Sequence, residues 1–468
     1  MLEVPDYLGP WMVQQRWFAG KGRTPDLLDI GGFSLGYDDD VRVHVRLVLD
    51  RAASPLLYQV PLTERRTPLA DGEAALIATD ADAEGPLYVY DGPRDPAFAA
   101  ALLGLILDGG EAIAEDGSGP AAFGHRDLAG EGGIRSPRVS SSKVLSGEQS
   151  NTSIVYEMTD ADGAPTMPII CKLFRALHDG ENPDVVLTGA LGAAGSAVVP
   201  QSVGHVTGRW RDTGARSGTA TGHLAFAQEF LPGVKDAWKV ALAAVEVGED
   251  FSDRARALGE ATAEMHETLA AALPTRVTTP FDIATVVTAM RTRFELAASE
   301  VPSLGAYRDR LTRVYAMAQA SPWPPLQRIH GDFHLGQVLS VPGRGWVVLD
   351  FEGEPLREMT ERSAPDCPLR DLAGMLRSFD YVAGSFALSH PGENASGWSS
   401  AARNAFIDGY IARSGRDLRE HRALLDAFEI DKAVYEALYE VRNRPDWLSI
   451  PTAAVDRLVT RSSQPAVG

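Results

Sequence analysis

The chain has 468 residues, 44% of them apolar, enough to bury the cores of two or three lobes. Its formal charge of −19, from 63 acidic against 44 basic residues, argues against a nucleic-acid partner and implies a protein that needs cations to hold any polyanionic ligand. The start, Met1-Leu2-Glu3-Val4-Pro5-Asp6, lacks a basic and apolar leader, and the longest apolar stretch, Phe98 to Leu107, is too short to span a bilayer. No export and no membrane anchoring are expected. The cysteines, Cys171 and Cys367, fall in segments assigned to different lobes, so a reducing cytoplasm without a disulfide framework is the expectation.

From Leu27 to about Asp91 the pattern is strand-like: Val41 to Leu49 alternates, and Leu56 to Val60 and Leu87 to Tyr90 are short β-prone runs. Pro96 to Asp108 reads as a helix. Asp108 to Ser136, rich in Gly, Ala and acidic residues, has the composition of a loop, and a domain boundary is placed there.

Strands are then expected at Arg138 to Leu145, Thr152 to Glu157 and Ile169 to Phe174. Lys172 lies on the third of them, where a nucleotide-binding lobe places the lysine that reaches the α- and β-phosphates. A lone strand lysine is usually a solvated face residue; its order ahead of the acidic motif described next reverses that expectation. The turn Ser146 to Ser153 is either an ordinary hairpin loop or a phosphate-covering one, in which Ser150, Asn151 and Thr152 would supply donors. Gln228 to Gly233 closes a strand-like run at Leu224 to Ala227 with a Pro-Gly break. It is either a simple strand-to-helix turn or a connector whose main chain, at Glu229 and Leu231, reads an adenine edge.

The most specific signal is His330-Gly331-Asp332-Phe333-His334-Leu335-Gly336-Gln337, followed by Val347-Val348-Leu349-Asp350-Phe351-Glu352. Phosphoryl transfer needs one carboxylate to take or orient the proton of the attacking hydroxyl. It also needs a second carboxylate and a neutral oxygen to hold Mg²⁺ on the nucleotide. Asp332 fills the first slot, and Gln337, five positions on, and Asp350 after an intervening hairpin fill the others. The competing reading is a pair of acidic turns bracketing a hairpin, with Val338 to Val341 and Trp346 to Leu349 as its strands. His330 and His334 lack the companions of a zinc site and are read as orienting the loop. His266, alone in a helical segment, is read as packed. Helical periodicity runs through 255–272, 281–299, 304–320, 369–386, 401–414 and 421–442, so the C-terminal half is expected to be mainly helical.

Several segments resemble the bacterial maltokinases, a branch of the aminoglycoside-phosphotransferase-like group within the protein-kinase-like fold. They are Trp11 to Arg23, Glu148 to Ser153, His330 to Leu339, Asp350-Phe351-Glu352-Gly353-Glu354-Pro355, Pro368 to Tyr381, Asp431 to Glu436 and Arg442-Asn443-Arg444-Pro445. The resemblance spans nearly the whole chain. It implies an α+β, bilobal architecture: an N-terminal cap over 1–110, an intermediate subdomain and ATP lobe over 111–232, and a helical lobe over 233–468 with the catalytic loop and acceptor site. It also implies transfer from ATP, with Mg²⁺, to the anomeric hydroxyl of maltose, a product that feeds α-glucan synthesis, and a trehalose synthase as a protein the chain can associate with.

Sugar recognition combines hydrogen-bonding carboxylates or Arg with an aromatic face, which singles out Tyr435, Glu436, Arg442 and Trp447, with Glu354 just past the metal segment. Each could equally be a surface or packing residue. Related kinases carry a Glu on the next helix to pair the nucleotide lysine, but here the segment reads Val185-Val186-Leu187-Thr188-Gly189-Ala190. The partner of Lys172 is then Asp184 or Glu181, or is absent. Two alternatives remain open: the same chemistry on glucosamine, another hexose or an aminoglycoside, and a catalytically silent nucleotide-binding scaffold.

Overall fold

A computed structural model describes residues 4–37, 40–52, 55–82, 85–114, 117, 119–127, 138–146, 150–212, 218–354 and 357–462. Gly147, Glu148 and Gln149 of the turn after the first nucleotide-lobe strand, Pro355, and 128–136 of the expected loop lie outside these residues. The chain divides into two compact units, Met1–Gly189 with Pro200–Pro232, and Ala190–Val199 with Gly233–Gly468.

The first unit opens with α1 (Leu8–Met12) and strands β1 (Leu27–Tyr37), β2 (Val41–Asp50), β3 (Leu56–Arg65), β4 (Leu76–Asp82) and β5 (Gly85–Asp91). Helix α2 (Pro96–Asp108) follows, then β6 (Glu111–Ile113), β7 (Ala121–Arg126), β8 (Arg138–Val144), β9 (Asn151–Thr159), β10 (Ile169–Phe174), β11 (Ala176–Leu177), α3 (Pro183–Ala193), β12 (Ser202–Arg211) and β13 (Thr219–Glu229). Among the described residues these strands form two antiparallel sheets. One has the order β1-β2-β3-β5-β4, with β11 added against β3; the other runs β6-β7-β12-β13-β10-β9-β8.

Alternation along β2 sends Val41, Val43, Val45, Leu47 and Leu49 into the core. Helix α2 starts where the Asp95 side chain accepts the Ala97 N–H, with Pro96 in its first turn, and ends at Gly109, whose φ of 60° is left-handed. Its apolar face, Phe98, Leu102 and Ile106, shares one core with β2 and with Ile154, Ile169 and Phe226 of the second sheet. The stretch expected as a loop over 108–136 contains β6 and β7. These strands are too rich in small residues to show β-propensity, and at Gly124 a Cβ would lie 1.8 Å from the Leu105 carbonyl oxygen. Glycine is there because the end of α2 presses on the strand.

Polar side chains tie the two sheets together. Gln59 Nε2 on β3 donates to the Phe174 carbonyl at 2.5 Å and to the Leu224 carbonyl at 2.6 Å. Arg175, fully buried, donates from Nη2 to Asp91 Oδ1 at 2.9 Å and from Nε to Thr152 Oγ1 at 2.8 Å, and its guanidinium lies 4.9 Å from the Trp17 ring centroid. A desolvated ion pair loses most when one partner goes, because the other charge stays buried. Arg175→Met is therefore expected to destabilise this unit by about 3–5 kcal/mol, read from its denaturant midpoint. A shift below about 1 kcal/mol, the size of a surface ion pair, would show that Arg175 does not brace the sheets.

The second unit comprises β14 (Lys235–Asp236), α4 (Ala237–Glu246), α5 (Ser252–Ala272), α6 (Pro280–Glu300), α7 (Arg308–Ala320), β15 (Val338–Val341), β16 (Gly345–Val348), α8 (Met359–Arg362), α9 (Leu369–Ser389), α10 (Ser396–Ser414), α11 (Arg422–Asn443) and α12 (Ser449–Ser462). The hairpin β15–β16 pairs with β14 to make a small sheet inside this helical body. Helix α6 begins at a capping box, in which Thr279 and Asp282 satisfy each other's backbone donors. The helix expected from Leu304 begins later, because Pro302–Tyr307 forms a tighter 3₁₀ segment ahead of α7. The protein is thus a mixed α/β chain with a β-rich N-terminal part and a helical C-terminal part. Among the described residues no helix is long and apolar enough to cross a membrane, and both cysteines are free and buried.

Candidate active site

In the first unit, Lys172 sits on β10 opposite Ser153 of β9 and Phe226 of β13. Its Nζ donates to Asp184 Oδ2 at 2.8 Å. Asp184, in the first turn of α3 and 2% exposed, is thus an acidic partner of Lys172 and one of those the sequence left open; Glu181 is exposed. Ser150 is exposed and Asn151 begins β9. The Thr152 hydroxyl is turned inward to Arg175. Glu229 ends β13, where its N–H donates to the Gln201 carbonyl at 2.8 Å and its Oε2 accepts the Gln201 N–H at 3.2 Å; half-buried Leu231 follows.

In the second unit the segment from His330 to Gln337 is built around buried acceptors. Asp371 on α9, 1% exposed, accepts the His330 N–H at 2.8 Å and the Gly331 N–H at 2.9 Å, and the His266 ring Nε2 lies 3.1 Å from it. Burial alone would raise the Asp371 carboxyl; its hydrogen bond to His266 and the facing imidazoles and N–H groups hold it below the usual carboxylate range. His330 spans the loop: Nε2 lies 2.9 Å from the Leu349 carbonyl and Nδ1 accepts the Asp332 N–H at 3.3 Å, which defines the Nε2–H tautomer. His334 Nδ1 accepts the Gly336 N–H at 3.0 Å. Both histidines therefore shape the loop, the role read for them from the lack of zinc-site companions.

Asp350, one residue beyond Leu349, has a φ of 64°, a costly conformation for a non-glycine residue. Gln337 Nε2 donates to Asp350 Oδ2 at 3.0 Å. That bond turns the amide so that its carbonyl oxygen is the atom left to act as a neutral ligand beside a carboxylate. Oxygen donors of this kind suit a hard divalent cation, so the pair fits the metal role.

Asp332 opens into a pocket shared with Gly331, Phe333, Glu354, Arg293, Arg370, Phe428, Asp431, Lys432 and Tyr435. Lys432 Nζ donates to Asp332 Oδ1 at 3.1 Å and to Glu354 Oε1 at 2.9 Å, and lies 5.0 Å from the Tyr435 ring centroid. Burial alone would raise Glu354; Lys432, Arg357 and Arg370 outweigh it and hold the carboxyl at about 2. Burial works against the Lys432 ammonium, and Glu354 and Asp332 nonetheless raise its pKa. Asp431 pairs with Arg293, and the Arg370 guanidinium lies 5.0 Å from the Phe428 ring centroid.

Of the residues proposed to bind the acceptor, Glu354 and Tyr435 line this pocket. Glu436 is turned under Arg377, accepting its Nε and Nη2 at 2.9 and 2.8 Å. Arg442 is bound to Glu300 at 2.8 Å on an exposed face, and Trp447 stacks on Tyr381 with Arg444 against it. Sequence reasoning gave no role to Lys432, Asp431, Arg293, Arg370 or Asp371. The readable signal was the run Asp431-Lys432 with Tyr435, whose i, i+3 and i+4 spacing keeps one face of α11 together.

The phosphotransferase enzyme family matches residues 190–424, and the chain belongs to that family. Residues 11–95 match the maltokinase N-terminal cap domain. The chain is 34% identical over 254 residues to a glucosamine kinase of Streptacidiphilus jiangxiensis, a match covering 50% of this chain and 58% of that enzyme. It is 28% identical over 332 residues to a glucosamine kinase of Mycolicibacterium smegmatis, covering 67% of this chain and 78% of the relative. A solved glucosamine kinase in complex with glucosamine, ADP and inorganic phosphate shares the fold, with a TM-score of 0.67 at 23% identity, over 98% of this chain and 99% of that one.

Proposed function

We propose that the chain transfers the γ-phosphoryl group of ATP to the anomeric hydroxyl of maltose, giving maltose 1-phosphate and ADP. The acceptor reading is carried by the charge balance around Asp332. Asp332, Glu354 and Asp431 stand against Lys432, Arg293 and Arg370, and each of these carboxylates already has a cationic partner. A neutral sugar can exchange hydroxyl hydrogen bonds with such pairs, whereas an ammonium group would need a carboxylate that no other cation neutralises. The maltokinase cap domain supports the same acceptor.

In this reading Asp332 takes the proton of the attacking hydroxyl as its oxygen bonds to phosphorus and the bond to the ADP oxygen breaks. Its Oδ1 is held by Lys432, and its Oδ2 has no hydrogen-bond partner among the described residues, which leaves that oxygen for the sugar. Lys172 offsets charge on the nucleotide phosphates. Gln337 and Asp350 supply the oxygens that would hold Mg²⁺, which when bound neutralises charge on the transferring group. Glu354 and Tyr435 offer a carboxylate and an aromatic face to the sugar.

A second reading takes glucosamine as acceptor, because that is the activity named for both curated relatives. Steady-state kinetics with maltose, glucose and glucosamine separate the two. The balanced pocket is expected to give maltose a kcat/KM more than about tenfold above glucosamine, the size of one charge-assisted hydrogen bond. The reverse order would overturn the maltose reading and leave the phosphotransferase chemistry standing.

A further inference from the structure

The Lys172–Asp184 pair depends on where α3 begins, and that point is set from β13. Asn182, the residue ahead of Pro183, accepts the Val186 N–H on its carbonyl at 3.2 Å and the Asp184 N–H on its side-chain Oδ1 at 2.9 Å. Its own N–H donates to His223 Nδ1 at 2.9 Å. The chain leading into Asn182 is fastened to the same strand: the Gly180 N–H donates to the Thr221 carbonyl at 2.7 Å, and the Thr221 N–H donates to Asp179 Oδ1 at 2.9 Å. The approach is so close that a Cβ on Gly222 would lie 2.2 Å from the His178 carbonyl oxygen. Since β13 also pairs with β10 and sets Phe226 opposite Lys172, one strand locates both members of the ion pair.

His223 is the β13 side chain that meets the Asn182 backbone. Accepting a backbone N–H at Nδ1 requires the neutral ring. Burial, with His205 and His125 nearby, lowers its pKa to about 4 and keeps that lone pair available at neutral pH.

We infer that His223 is a positioning residue for the nucleotide: its Nδ1 fixes Asn182, and through Asn182 and Asp184 it aims the Lys172 ammonium. The inference rests on the reading of Lys172 as a phosphate ligand. Without the acceptor, the Asn182 N–H is buried unpaired, the first turn of α3 shifts, and Asp184 no longer holds Lys172 in place.

The test compares the full chain with His223→Asn, His223→Gln and His223→Leu, measuring ADP affinity by calorimetry together with KM for ATP and kcat. Asn places its Oδ1 close to the position of Nδ1, whereas Gln reaches past it and Leu offers nothing. His223→Asn is expected to stay within about twofold of wild type, the loss of one neutral hydrogen bond in the others weakening ADP and raising KM about tenfold with kcat changed far less. If Leu does not fold, the Asn and Gln pair carries the comparison. Wild-type affinity in all three variants, or Asn as weak as Gln, would overturn the inference. Absence of ADP binding by wild type would overturn the nucleotide reading beneath it.

Discussion

Asp332→Asn is expected to lower kcat by about 10³-fold, the loss of a positioned general base, with ADP affinity and the unfolding midpoint close to wild type. The substitution keeps the shape of the side chain and its Oδ1 contact with Lys432 while removing the capacity to take a proton. Lys432 retains Glu354 at 2.9 Å, so no cation is left unpaired in the pocket. Activity within about tenfold of wild type would mean that Asp332 only orients the acceptor.

Asp371→Asn is expected to act differently, reducing stability and turnover together. The carboxylate accepts two backbone N–H groups and faces the His266 ring, all away from solvent. An amide can accept from one N–H but turns its own NH₂ toward another donor. A buried donor facing a donor costs about 1–3 kcal/mol, and a loop displaced by 1 Å costs about 10²-fold in rate. Thermal unfolding and kcat should therefore both fall. A variant with full stability and lost activity would instead place Asp371 in contact with the reacting groups.

The candidate catalytic segment was legible because its residues lie close together in sequence. Asp332 and Gln337 share one loop, Asp350 follows one hairpin, and apolar runs with a Pro-Gly turn identify that hairpin. Lys172 was legible from strand order. The pocket around Asp332 was not, because its cations come from distant helices: Arg293 from α6, Arg370 from α9 and Lys432 from α11. Helical spacing alone does not separate Tyr435 from Arg442: seven residues apart, they fall on one stripe of α11, but Arg442 lies about two turns further along, where it meets Glu300. Composition also hid β6 and β7, since a strand pressed against a helix end needs small residues in place of branched ones.

The same local logic explains the partner of Lys172. Related kinases carry a Glu on this helix; the sequence left Asp184, Glu181 or no acid, and the chain uses the shorter Asp184, at 2.8 Å. A search for residue type at a fixed offset misses that exchange. A search for any acid near the start of the following helix finds it.

The most direct test of the account is the phosphorus-coupled NMR spectrum of the sugar formed from ATP, Mg²⁺ and maltose by the full chain. An anomeric proton coupled to phosphorus, appearing together with ADP, is the result this account predicts. Phosphate on a primary hydroxyl, or a phosphorylated product only when glucosamine replaces maltose, would contradict it.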